Sequence, residues 1–223
     1  MKRSKNVKYF LASLVSLLSL IVYLPALQNE FVYWDDSLYI FANPFIRSLN
    51  VGFFKWAFFT FYGSNWHPLT WISHAFDYSL WGLNPLGHHL TNIILHAVNS
   101  FIVVLLTMKL LQAVKERARQ DGPVLFLHER AILIAGGVTG LLFGLHPLHV
   151  ESVAWAAERK DLLCALFFLL SMMQYADYVK SVSGTGTHGV LRIRYQERHY
   201  LLAVGFFILA LSVNRLRLNK ISL

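Results

Sequence analysis

The sequence predicts an all-α protein, a polytopic helical bundle built into a membrane. Three observations predict it. Of 223 residues, 56% are hydrophobic and only 14% are charged, and the mean hydropathy is +0.47, above what an ordinary soluble domain carries. The apolar residues gather into long runs instead of alternating with polar ones. The Lys and Arg residues, which give a formal net charge of +8, cluster between those runs as the positive-inside rule expects. They form no basic face interleaved with aromatic residues, so the charge does not point to nucleic acid. Cys164 is the only cysteine, so no intrachain disulfide forms and no redox compartment is legible.

Taken in order, the N-terminus carries Lys2, Arg3, Lys5 and Lys8, and residues 10–27 are an uncharged apolar run of spanning length. The exit PALQNE lacks the small-x-small site of a cleaved signal peptide. This run therefore reads as a retained first span with a cytoplasmic N-terminus. Residues 29–87 follow as a long extracytoplasmic loop, rich in aromatic residues that favour the lipid–water interface. Its apolar segments at 51–61 and 66–81 are expected to lie in the membrane plane as interfacial helices. A crossing by the second would put the basic loop of Lys109, Lys115, Arg117, Arg119 and Arg130 outside, against the charge rule.

Residues 88–111 form the second span, in which His88, Asn92, His96 and Asn99 recur at helical spacing on one face. That face must meet protein or water, because unpaired polar groups in hydrocarbon are costly. Residues 108–130 read as a basic cytoplasmic loop with a helix over 114–119 and a break at Gly122–Pro123. Residues 131–145 form the third span, where Gly136, Gly140 and Gly144 recur every fourth residue and admit a second helix closely. Alternation returns residues 146–161 to the extracytoplasmic side. Residues 162–179 are the fourth span, followed by a second basic loop with Lys180, Arg192, Arg194 and Arg198 and a flexible SGTGTHG stretch. Residues 200–213 begin a fifth span but stop short and run into Arg215, Arg217 and Lys220. The spans thus belong to residues 1–211. Residues 212–223 read as an atypical tail, for which truncation or a frameshift is the simplest cause.

The residue types suited to chemistry collect on the extracytoplasmic side. Asp35 and Asp36, in VYWDD, point in different directions in helix or strand alike. One can take a proton from an acceptor hydroxyl, which favours a carboxyl raised by an apolar setting, while the other caps a helix or binds a cation. A plain turn capped before residues 37–41 is the bland alternative. His146, His149 and Glu151, in HPLHVE, suit a divalent metal or a phosphate, although the spacing lacks a helical i, i+4 histidine pair. Arg159 and Lys160 are cations on the side where cations are scarce, and invite an anionic partner such as a lipid phosphate; snorkelling is their ordinary alternative. His67, His74 and Asp77 line or anchor the loop. His88, Asn92, His96 and Asn99 suit interhelical hydrogen bonds better than ligation. The chain has no P-loop, dinucleotide glycine pattern, cysteine metal site or nucleophile elbow.

Together VYWDD, NWHPLTWISHAFDYSLWGLNPLGHHLTNIILHAVNS and LLFGLHPLHVESVAWAAERKDLLCALFFLLSMMQYADY resemble the N-terminal membrane region of the transmembrane and tetratricopeptide-repeat proteins. That group includes eukaryotic protein O-mannosyltransferases and bacterial relatives, and the likeness covers most of residues 10–211. It implies a GT-C type glycosyltransferase that moves a sugar from a polyprenyl-phosphate donor to a hydroxyl acceptor, a protein Ser or Thr among the candidates, on the outer face of a membrane such as the bacterial inner membrane. It places the base on Asp35 or Asp36. By the same analogy His146, His149, Glu151, Arg159 and Lys160 seat the donor phosphate or shape the site, with a divalent metal as a cofactor to test. The family's further spans and 34-residue repeats are replaced by LALSVNRLRLNKISL. An inactive membrane fragment is therefore the runner-up, and a transporter using the His88–Asn99 stripe is third.

Overall fold

The computed structural model describes residues 2–121, 128–183, 190–213 and 215–216. The expected break at Gly122–Pro123 and all but the first residue of the SGTGTHG stretch lie outside the described residues, as does most of the tail.

The first helix, α1 (Lys2–Tyr23), tightens into a 3-10 turn at Leu24–Gln28, where Pro25 removes a backbone donor. The loop beyond it is folded. A short π-helical turn, Ser37–Phe41, follows the two aspartates and is closed by Ala42 N–H donating to Ser37 C=O at 2.9 Å. Helix α2 (Val51–Phe59) is capped by Asn50, whose side-chain oxygen accepts Phe53 N–H at 2.8 Å. A two-residue antiparallel ladder pairs β1 (Asn65–Trp66) with β2 (Arg215–Leu216). Helix α3 (Pro68–Trp81) opens on a proline and ends at Gly82, whose φ of 60° is open to glycine. At nine and 14 residues, α2 and α3 are too short to cross a bilayer.

Helix α4 (Pro85–Asp121) runs 37 residues and joins the expected second span and the expected 114–119 helix into one. Helix α5 (Glu129–Leu145) returns, α6 (His149–Ala154) is a short helix, and α7 (Arg159–Ser183) and α8 (Val190–Val213) form an antiparallel pair. Among the described residues, three segments are long and apolar enough to cross a membrane: Asn6–Gln28, Pro85–Ala118 and Ala156–Val182. Helix α5, at 17 residues, packs against α1 and α4 within the same bundle.

The spacing of small and polar residues is used inside this bundle. Gly136, Gly140 and Gly144 face α1 and α4, and a Cβ at Gly144 would fall within 2.0 Å of Ser19 Oγ and 3.0 Å of Ser100 Oγ. Asn92 donates to Trp155 C=O, His96 to Gly144 C=O and Asn99 to Leu162 C=O, at 2.9, 3.0 and 2.9 Å. His88 sits 3.1 Å from Gly82 C=O. The predicted polar stripe is thus a row of bonds to main-chain carbonyls, which removes the feature that motivated a transporter reading. At the far end of α4, Lys109 pairs with Asp177 at 2.6 Å and Lys180 with Glu116 at 2.9 Å.

The folded loop has its own core, with Tyr39, Ile40, Ile46, Phe53, Ala57, Trp71 and Ala75 packed together with Ala156 and Ala157. The first loop and the segment before α7 are therefore one packed unit.

Candidate functional site

The two neighbouring aspartates have different surroundings. Asp36 is fully buried, and its carboxylate accepts Val32 N–H at 2.9 Å and, from 121 residues further along the chain, Ala157 N–H at 2.8 Å. Burial pushes its carboxyl above the usual range, the two N–H donors oppose that shift, and the charge of Asp35 adds to it. Asp35 is half-buried and, among the described residues, holds no hydrogen bond. Asp36 is a clamp, and Asp35 takes no part in it.

Tyr39 follows Asp35 by one turn, so the two share a side of the helical segment. It is almost wholly buried, and Asn65 donates to its hydroxyl at 3.2 Å while His67 Nδ1 lies 3.4 Å away. Burial raises the phenol pKa, and the negative charges of Asp35 and Glu158 raise it further. Lys160 Nζ stands 5.5 Å from the Tyr39 ring centroid and 2.5 Å from Glu158 Oε1. Asp35, Tyr39, Glu158 and Lys160 are thereby gathered in one place, of which sequence reasoning named only Asp35 and Lys160. The signal for Tyr39 was its one-turn spacing from Asp35.

Arg159 goes elsewhere. It is completely buried, with Nη1 paired to Asp77 at 2.5 Å and 3.2 Å from Ser73 Oγ, Nε donating to Asn92 Oδ1 at 2.8 Å and Nη2 to His88 C=O at 2.8 Å. Asp77 also accepts Thr91 Oγ1–H at 2.8 Å. The structure thus uses Arg159 and Asp77 to fasten α3 to α4 and α7. His74 is buried beside them, its ring 6.1 Å from that of His88, and burial lowers its pKa well below the ordinary value.

The HPLHVE residues are not gathered into a ligand set. His146 is exposed and its Nδ1 accepts Leu148 N–H at 3.2 Å, whereas His149 packs its ring 4.5 Å from Phe143 and 5.5 Å from His96. Burial, then the neighbouring His146, lowers the His149 pKa. Among the described residues, no group of three or more His, Cys, Asp or Glu side chains is placed to hold a metal. Glu151 instead lines an apolar groove of about 320 Å³ with Val32, Trp34, Val150, Ala154 and Trp155.

Known proteins resemble this chain over much of its length. Protein O-mannosyl-transferase TMTC4 of Homo sapiens is 38% identical over 125 residues, 56% of this chain and 16% of that protein. TMTC4 of Mus musculus is 34% identical over 185 residues, 78% of this chain and 24% of that protein. This chain belongs to the TMTC-like family. Tmtc1 of Drosophila melanogaster extends the likeness, at 32% identity over 169 residues, 72% of this chain and 17% of that protein. No protein-family model and no solved structure matches the chain. The TMTC-like chain spans 16% to 24% of the length of these relatives.

One acid-sensitive element sits inside the TMTC-like site. Burial and the nearby Lys160 charge lower the His67 pKa to about 4, so the folded protein binds fewer protons than the unfolded chain between there and the ordinary histidine value. His67 is therefore expected to contribute stability that is fully present above about pH 6.5 and lost as the pH falls through about 4, a span worth on the order of 3 kcal/mol. Thermal unfolding in lipid nanodiscs across that range, compared with His67→Gln, reads it directly. The comparison subtracts Asp36, whose raised carboxyl acts with the opposite sign. Equal acid sensitivity in both proteins would remove His67 from this role.

Proposed function

We propose that this chain is the catalytic membrane region of a protein O-mannosyl-transferase that moves mannose from a polyprenyl-phosphate carrier to a protein Ser or Thr hydroxyl. The single observation that carries the reading is the division between two adjacent carboxylates: Asp36 is held by two backbone N–H groups, whereas Asp35 makes no hydrogen bond among the described residues and its charge acts on Tyr39, whose ring also carries the Lys160 ammonium. The names of the relatives support mannose as the sugar and protein as the acceptor. Aromatic side chains exposed on the first loop, Tyr33 and Trp34 next to Asp35 and Phe58 and Phe59 on α2, suit an interfacial position where a lipid-linked donor is used.

In this mechanism Asp35 takes the acceptor hydroxyl proton as the oxygen bonds to the anomeric carbon. The bond from that carbon to the phosphate oxygen breaks, and its electron pair leaves on the polyprenyl phosphate. The Lys160 ammonium meets the charge that develops there. The charge pattern supports a cytoplasmic N-terminus with residues 29–87 and 146–161 on the opposite side. Membranes carrying the chain, supplied with polyprenyl-phosphate-linked radiolabelled mannose and a Ser/Thr peptide, are expected to label the peptide. Label no higher than in membranes lacking the chain overturns the proposal.

A further inference from the structure

We infer that Tyr39 is a positioning residue: its ring holds the Lys160 ammonium where a phosphate monoester of an isoprenoid can meet it. The inference rests on the phosphate-binding reading of Lys160 and deepens it.

A lysine on four methylene groups is a poor fixed charge, because its stem samples many rotamers. Here two contacts restrain it. Glu158 takes one of the three ammonium N–H donors, and the Tyr39 ring lies within cation–π range at 5.5 Å. Only 14% of the Lys160 side chain is exposed, so the contact is partly desolvated and strengthened. Two donors remain for an incoming anion.

The ring is itself fixed. Trp71 packs against it with centroids 4.6 Å apart, and Asn65 donates to its hydroxyl. His67 Nδ1 lies 3.4 Å from the same hydroxyl, and its low pKa keeps that ring neutral. The chain of contacts runs from Asn65 and His67 through Tyr39 to Lys160, and the same turn carries Asp35. Sugar carrier and acceptor hydroxyl would be brought together across this one ring.

The test uses the full chain in phosphatidylcholine nanodiscs, with tryptophan fluorescence reporting the binding of farnesyl phosphate and of farnesol. Wild-type protein is expected to prefer the phosphate by roughly tenfold or more, the worth of one charge-assisted bond. Lys160→Met should bring the preference to about one. Tyr39→Phe, which keeps the ring, should stay within about twofold of wild type, whereas Tyr39→Leu should lose about threefold or more of the preference. A fluorinated phenylalanine at position 39 keeps the shape while weakening the ring's attraction for a cation, so it should lower the preference even if Tyr39→Leu does not fold.

A merely structural Tyr39 would weaken both ligands alike and leave their ratio intact. An unchanged ratio in the Leu or fluorinated protein, with Lys160→Met at about one, overturns the role of Tyr39 and spares the phosphate site. A wild-type ratio of one overturns the phosphate site and this inference with it.

Discussion

Replacing Asp35 by Asn is expected to lower mannosyl transfer by about 10²- to 10⁴-fold, the usual worth of a positioned general base, while the melting temperature stays within about 2 °C of wild type. Asn keeps the shape of the side chain and removes its ability to take a proton. The fold should not notice, because Asp35 is half-buried and, among the described residues, makes no hydrogen bond. Asp36→Asn should behave differently. There an amide replaces an oxygen that receives a backbone N–H, at Val32 or at Ala157, so a buried donor loses its partner at a cost of about 1–3 kcal/mol. Stability and transfer then fall together. Transfer by Asp35→Asn equal to wild type would take Asp35 out of the mechanism.

Arg159→Leu is expected to destabilise the protein by about 3–5 kcal/mol, because it leaves the Asp77 carboxylate buried without its counter-charge. Arg159→Lys should recover little, since one ammonium cannot reach Asp77, Ser73, Asn92 and the His88 carbonyl from a single stem. The double variant Arg159→Leu with Asp77→Leu should be more stable than Arg159→Leu alone, and a thermal double-mutant cycle in nanodiscs measures the difference. A single Arg159→Leu variant that melts with the wild type would contradict the buried pair.

Much of the bundle was legible because helical periodicity and span length are local properties. The expected spans at 88–111 and 162–179 lie inside α4 and α7, and the one at 10–27 covers the second half of α1 and the 3-10 turn that ends it. The His88, Asn92, His96 and Asn99 stripe meets protein, as the cost of bare polar groups in lipid requires. The site was legible only in part, for a tertiary reason. Arg159 and Lys160 look equivalent in sequence, yet adjacent helical residues point about 100° apart, and the buried Asp77 claims one of them. Likewise, of the two N–H groups that set Asp36 apart from Asp35, the Val32 N–H is four residues away but the Ala157 N–H is 121 residues away. HPLHVE drew attention as a cluster of ligand types, but His146 turns to its own backbone and His149 to aromatic rings.

The reach of Arg159 also sets an order of events during synthesis. Ser73, which it contacts, leaves the ribosome 86 residues earlier, and the translating chain grows at about 5–20 residues per second. For several seconds Asp77 has no Arg159 to meet, and the contacts that tie the first loop to the start of α7 cannot form. Arrival of Arg159 and of the Ala157 N–H locks it from two points at once. A nascent chain halted before Ala157 and Arg159 is therefore expected to leave the first loop open to protease, and one extended past them to protect it.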